Sequence, residues 1–399
     1  MLPEANYEES EAGNLPLPSP LEGEDGGRIG TATRWNRRRA AIRAEFARIM
    51  YGELPPRPEA VRFELRRECD DAIDGIAIRR EIRIHLEQGR KHHCIDVLWY
   101  LPKSVKEPVP AIVGMNFRGN HACSPEPDVF PPEFFPLDEP VERGSQTGRW
   151  CFRQLVESGF SVATAFRGDL FPDRADGRAD SVFRLYREAD GLTPEHRELT
   201  AISAWAFGYV QMLELLETDP RIDRRRIWAH GHSRLGKTAL WAGANDPRFA
   251  AVISNDSGCG GASITRRILP GGKSETLKVI NERFPHWFAK NFLKYIDREE
   301  KLPVDQHELI ALCAPRPVFV ASAAEDLWAD PEGEFLAAKL ASPVYALWNL
   351  PGIPAEQGMP KVHEPVGGRV GYYIRSGGHD VTPRDWQAYC DFLSQNDIR

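Results

Sequence analysis

The 399-residue chain has no close cysteine pairs. Its seven cysteines are widely scattered and odd in number. That pattern is not the disulfide framework of a small secreted domain, and it leaves room for one or two bridges at most. No run approaches the ~20 apolar residues that a membrane-crossing helix needs. An excess of positive charge is missing too. The formal net charge is -7, so no global basic field recruits nucleic acid. Two short basic clusters, Arg37–Arg39 and Arg224–Arg226, lie beside apolar helix or strand starts and read as solvated flanks. The first stretch is acidic and proline-rich and lacks the apolar core of a secretory signal, so the chain as written is expected to be soluble, and either cytoplasmic or numbered after signal removal, with the initial Met favouring the former. Metal-ligand spacing is also lacking. The nearest case, His92-His93-Cys94, sits in a strand-like alternation that points neighbouring side chains to opposite faces. A structural role is expected for it, with no metal and no cofactor.

What is present is a large apolar content, 42% of residues, enough for one big core. Residues 1–30 read as an extended, poorly ordered arm, and 31–399 as a single domain. The spacing of Trp35, Ile42, Phe46 and Ile49 predicts a helix over 33–50. Residues 61–101 alternate over two or three strands. Pro108–Met115 and Phe160–Ala165 are short apolar runs of buried-strand type, and 198–217 is a long amphipathic helix. Four more apolar strands follow: RIWAHGHS, FAAVISND, PVFVASAAED and GYYIRSGGHD. Strands alternating with helices predict an α/β fold of the α/β-hydrolase type. A mostly parallel sheet is covered by helices on both faces, a three-layer sandwich.

One segment carries chemistry. In IWAHGHSRLGKTAL an apolar strand runs straight into Gly231-His232-Ser233-Arg234-Leu235-Gly236 and on into a helix. Such a turn projects a serine hydroxyl above the sheet edge, with the helix amino terminus behind it. The N–H after Ser233 can then donate to a developing oxyanion. The second glycine comes one place later than in Gly-x-Ser-x-Gly. The base must lie further on, and Gly377-Gly378-His379 follows the last strand. Two acids end strands in between, Asp256 and Asp326, and either can orient the imidazole of His379. Lys237 is one helical turn beyond Ser233 and on the same face.

These residues together resemble the glucuronoyl esterases, carbohydrate esterase family 15, and their bacterial branch in particular. The elbow is similar to the family's Gly-x-Ser-Arg-x-Gly-Lys, including the late glycine. The segments around Asn116–His121, Arg167–Asp169, Ser254–Gly261, Phe284–Phe288 and Glu325–Pro331 agree in order. The resemblance implies hydrolysis of the ester between 4-O-methyl-glucuronate of glucuronoxylan and lignin alcohols, without a metal. It implies Ser233 as nucleophile, His379 as base and Arg234 as oxyanion support. Lys237 and Glu275 then hold sugar hydroxyls, and Trp328 packs on the sugar. Asp326 is favoured as the acid, with Asp256 assisting. Two cysteines pair beside the nucleophile and the base in the fungal branch. Here those positions are His232 and Gly378, so that bridge is absent. Relatives are usually secreted or periplasmic. Other readings of the same residues are an acetyl-xylan or general carboxylesterase, and a non-catalytic carbohydrate-binding relic.

Overall fold

The computed structural model describes residues 8–13, 16–23, 25–133, 139–186, 198–269 and 275–396. Its strands are β1 (Ala60–Asp71), β2 (Ala77–Gln88), β3 (Lys91–Pro102), β4 (Val109–Asn116), β5 (Ser161–Phe166), β6 (Ile222–His232), β7 (Ala251–Asn255), β8 (Val318–Ala323), β9 (Val366–Gly367) and β10 (Val370–Arg375). They form one sheet in the order β1-β2-β3-β5-β4-β6-β7-β8-β10-β9. The strands from β5 to β10 in that order run parallel, while β1, β2 and β3 add an antiparallel wing and β9 an antiparallel edge.

The apolar runs are continuous because each parallel strand is buried on both faces. Alternate residues serve two cores. Ala111, Val113 and Met115 of β4 enter one and Ile112 the other; Val318 and Val320 of β8 enter the first, Phe319 and Ala321 the second. The first core lies under α1 (Ala32–Phe46), α2 (Ala201–Leu216), α3 (Arg234–Asn245) and α4 (Pro331–Tyr345). The second lies under the short helix Phe152–Glu157 and α5 (Pro383–Gln395). Among the described residues, no helix is long and apolar enough to cross a membrane.

The helix expected over 33–50 is α-helical only to Phe46 and then widens into a π turn, Ala47–Tyr51. The expected 198–217 helix is α2, started by a capping box between Thr200 and Ser203. The stretch 61–101 resolves into three strands. Part of the amino-terminal stretch is docked, where composition alone pointed to a loose extension. Ile29 is buried in the first core, Leu17 and Leu21 pack against it, and the Pro18 carbonyl accepts from His307 Nε2 at 2.8 Å.

The turn from β6 into α3 is the feature that positions the site. Ser233 sits at φ 57°, ψ -130°, a conformation that costs a non-glycine residue about 1–3 kcal/mol. Its neighbours impose it. Ser233 N–H donates to Asn255 O at 2.8 Å, and Ser233 O accepts from Gly236 N–H at 2.8 Å. A Cβ on Gly231 would lie 1.8 Å from Leu235 O, and one on Gly236 would lie 2.9 Å from Ser257 Cβ. The late glycine therefore makes the close helix–loop contact, while Leu235 is spent on the first core. Gly231→Ala is expected to lower stability by about 3 kcal/mol or more in denaturant unfolding, since backbone rather than a flexible side chain must yield. Stability equal to the parent would show that this turn opens freely.

Candidate active site

Ser233, Asp256, Asp326 and His379 follow β6, β7, β8 and β10 in turn, all at the carboxyl ends of parallel strands. His379 Nδ1 lies 2.5 Å from Asp326 Oδ2; the imidazole side chain is 44% exposed and the carboxylate 7%. Their loops are tied together. Glu325 N–H donates to Gly377 O at 3.1 Å, and Gly377 N–H donates to Glu325 Oε1 at 3.1 Å. Ser233, Arg234, His232 and His379 line one cleft of about 900 Å³. The His232 ring packs against the His379 ring with centroids 4.4 Å apart. Burial, followed by the neighbouring His379 and Arg149, keeps His232 neutral, far below the ordinary histidine range. Its Nδ1 is 2.6 Å from Asn255 Oδ1.

The two acids differ in surroundings. Asp256 is buried at φ 43°, 3.5 Å from Arg375 Nη2, and its Oδ1 has no partner among the described residues. Burial, then Glu334 and Asp326, push its carboxyl well above the usual range, against the pull of Arg375. Of the two acids, Asp326 is the one in hydrogen-bond contact with His379 Nδ1 and so the one placed to face an imidazolium. Asp256 nevertheless stays close, with donor atoms of Asp256, Asp326 and His379 all within 4.8 Å of one another. Behind them Glu334 accepts from Ser257 N–H at 2.7 Å, Gly258 N–H at 3.0 Å and Ser322 Oγ at 2.5 Å. Burial pushes Glu334 up to about 8.

Two supports were not found in the sequence. Arg375, the last residue of β10, is 2% exposed. Its Nε donates to Asp385 Oδ2 at 2.7 Å, and its Nη2 donates to Gly378 O at 2.9 Å and Asp380 O at 2.5 Å. It thus holds the carbonyls on either side of His379. The available signal was an arginine inside the apolar run GYYIRSGG. The other support is Asp173. It takes Arg234 Nη1, His286 Nε2 (2.7 Å) and Trp287 Nε1 (2.7 Å), with Arg167 3.3 Å away. Burial alone would raise its pKa, but His286, Arg167, Arg234 and Trp287 outweigh that and hold it well below the usual carboxylate range. The Arg234 guanidinium lies 4.4 Å over the Trp287 ring, a cation–π contact. Its Nε is buried and without a partner among the described residues.

The residues expected to hold sugar are placed differently. Lys237 is almost fully buried and donates to Ser257 O, to Cys259 O at 2.6 Å and to Glu275 Oε2 at 3.3 Å. Three acceptors use all three protons of its ammonium. Glu275 also accepts from Cys259 N–H at 3.1 Å. The expected pair is therefore brought together, but as a brace for the 257–259 loop rather than as free hydroxyl binders. Sequence spacing put Lys237 on the face of Ser233 and did not reveal that this loop folds over it. Trp328 is half-buried just after Asp326, with the Arg283 guanidinium 5.6 Å over its ring. None of these three lines the 900 Å³ cleft.

Comparison with known proteins agrees with this geometry. The family model described as glucuronyl esterase, fungi, matches residues 174–348. A carbohydrate esterase, MZ0003, from an unknown prokaryotic organism is 40% identical over 403 residues, covering 98% of this chain and 92% of its own. The chain belongs to carbohydrate esterase family 15, the glucuronoyl esterases. The solved glucuronoyl esterase from Solibacter usitatus superposes with a TM-score of 0.90 at 38% identity, covering 97% of this chain and 99% of the other. The 4-O-methyl-glucuronoyl methylesterase of Schizophyllum commune is 26% identical across 88% of this chain and 77% of its own. This family 15 member is a carboxylic ester hydrolase with the α/β-hydrolase fold.

The two carboxyl environments separate the acids experimentally. Asp326→Asn is expected to lower kcat by about 10³–10⁴-fold. Asp256→Asn, at the acid that is not the hydrogen-bond partner of His379, should stay within about tenfold of the parent. Steady-state rates on an aryl or benzyl ester check both. A dead Asp256→Asn enzyme beside a nearly unaffected Asp326→Asn enzyme reverses the roles.

Proposed function

We propose that this esterase cleaves esters of 4-O-methyl-glucuronate, the linkage between glucuronoxylan and lignin alcohols, through an acyl-enzyme on Ser233. The observation that carries the reading is the buried, unpartnered Nε–H of Arg234 beside the strained serine, in a cleft shared with the His379–Asp326 pair. His379 takes the Ser233 proton as the oxygen attacks the ester carbonyl. The negative charge formed on the carbonyl oxygen is met by the Arg234 backbone N–H at the start of α3 and by its guanidinium, which Asp173 and Trp287 hold still. His379, its cation stabilised by Asp326, returns the proton to the leaving alcohol. Water then repeats the sequence to release the uronic acid. No step calls for a metal or cofactor.

Charge supports the substrate class. On a chain of net charge -7, the cleft is lined by Arg118, Arg149, Arg167, Arg174, Arg184 and Arg234 against three acids, Glu139, Asp173 and Asp180. Such a local excess of cations suits a xylan carrying free uronates near the esterified one. Trp328 offers a flat indole face to a sugar ring. Lys237 and Glu275 act on the sugar through the loop they brace. The relatives named as glucuronoyl esterases support the same choice.

Benzyl and methyl glucuronate are expected to be hydrolysed faster than simple acetate esters. Ser233→Ala should lower that rate by about 10⁴-fold or more without changing the thermal midpoint. Trp328→Ala should cost about tenfold on glucuronate esters and little on acetates. Faster turnover of acetylated xylan would make this an acetyl esterase on the same machinery. A Ser233 that a fluorophosphonate does not label, in a protein that still binds sugar, would make it a binding relic.

A further inference from the structure

We propose that the antiparallel wing carries a zinc site formed by His85 Nδ1, His92 Nε2 and Cys94 Sγ, with Glu64 behind His85. The β2–β3 register pairs His85 directly with Cys94 and Glu87 with His92. His92 and Cys94, two apart on β3, share the face of His85, while His93 turns the other way and bonds the Asp169 carbonyl. His92, His93 and Cys94 are adjacent in the chain, and the cross-strand partner His85 completes a set that sequence order hides.

Distances make the case. His85 Nδ1 and His92 Nε2 are 2.9 Å apart, Cys94 Sγ is 3.4 Å from His92 Nε2, and Cys94 Sγ is 3.6 Å from His85 Nδ1. Zinc bonds of ~2.0–2.1 Å to nitrogen and ~2.3 Å to sulfur, arranged tetrahedrally, require N–N edges of about 3.3 Å and N–S edges of about 3.5 Å. The three atoms already form one face of such a tetrahedron. The other nitrogen of His85, Nε2, is 2.6 Å from Glu64 Oε2 on β1. A carboxylate accepting from the far N–H of a ligating imidazole is the usual outer partner of a zinc histidine, and it leaves Nδ1 bare for the metal. One thiolate and two imidazoles suit zinc and disfavour calcium and magnesium. His85 and Cys94 are buried and His92 is exposed, so the fourth position faces solvent and takes water. Binding releases the Cys94 thiol proton to solvent and leaves both histidines neutral.

The role that follows is structural. The site joins neighbouring strands of the wing, and Glu64 ties in the edge strand β1. The reverse side of the same β3 segment holds the cleft wall. His93 bonds the Asp169 backbone, and Asp96 N–H donates to Asp169 Oδ2 at 3.1 Å, two residues beyond Arg167.

The test uses the full chain, stripped with chelator and titrated with zinc by calorimetry, and with cobalt by absorption. One zinc per chain is expected, with a raised thermal midpoint. Cobalt should give intense tetrahedral d–d bands and a thiolate-to-metal charge-transfer band. Cys94→Ser should abolish the charge-transfer band. His92→Ala, at an exposed position that the fold does not depend on, should weaken zinc binding at least hundredfold. Glu64→Gln should weaken it by about 10–100-fold. Esterase turnover of all three variants should match the parent, because none touches the active site. A stripped chain that binds no zinc, or a cobalt spectrum that Cys94→Ser leaves unchanged, overturns the proposal. The second result would place the metal elsewhere, such as on Asp256, Asp326 and His379, which include no thiol.

Discussion

One buried guanidinium fixes where His379 stands. Arg375 ends a strand inside the sheet and reaches out to both carbonyls that flank His379. It is charge-matched from the far side by Asp385 and approached by Asp256. A buried cation with a single partner is a poor source of stability, and removing one member leaves an uncompensated charge. Here the cation has several partners, so the cost of burying it is spread over a network that defines one loop conformation. The imidazole itself stays partly exposed, while Asp326 beside it and Arg375, which holds the carbonyls on either side of it, are buried.

The acyl side of the site is organised by the opposite sign. Asp173 is a buried carboxylate shared by Arg234, Arg167, His286 and Trp287. Arg234 is therefore held by a carboxylate at one end and by an aromatic face beneath it, and its buried Nε has no partner among the described residues. A donor fixed in this way stabilises developing charge without having to reorganise at the moment of reaction. The site thus rests on two ionic nodes, Arg375 under the proposed base His379 and Asp173 under the proposed oxyanion donor Arg234, together with the strained Ser233.

The parallel sheet was legible in the sequence because strands buried on both faces leave unbroken apolar runs, and Ser233 and His379 because their turns demand glycine at set places. The acids were legible only as strand ends; choosing between them needed the burial of Asp256 and the contact of Asp326. Arg375 and Asp173 were invisible for a common reason. Each acts through partners far away in the chain, and a single charged residue in a sequence carries no mark of what it touches. Lys237 shows the complementary failure. Helical phase places it one turn beyond Ser233, but its surroundings are set by a loop that periodicity does not describe. His85 and Cys94 needed the hairpin register, which no local pattern supplies.

The contact between His232 and His379 has a chemical consequence. Where the fungal branch of the family resembled by this sequence joins elbow and base loop by a disulfide, this chain presses two aromatic rings together, and all seven cysteines are free thiols. Nothing in the geometry of the active centre is therefore written in a bond that electrons can break. The centre needs no oxidant to assemble and no isomerase to correct a mispairing, and a reducing medium has no covalent link there to sever. In this chain the alignment of Ser233 and His379 is indifferent to redox potential.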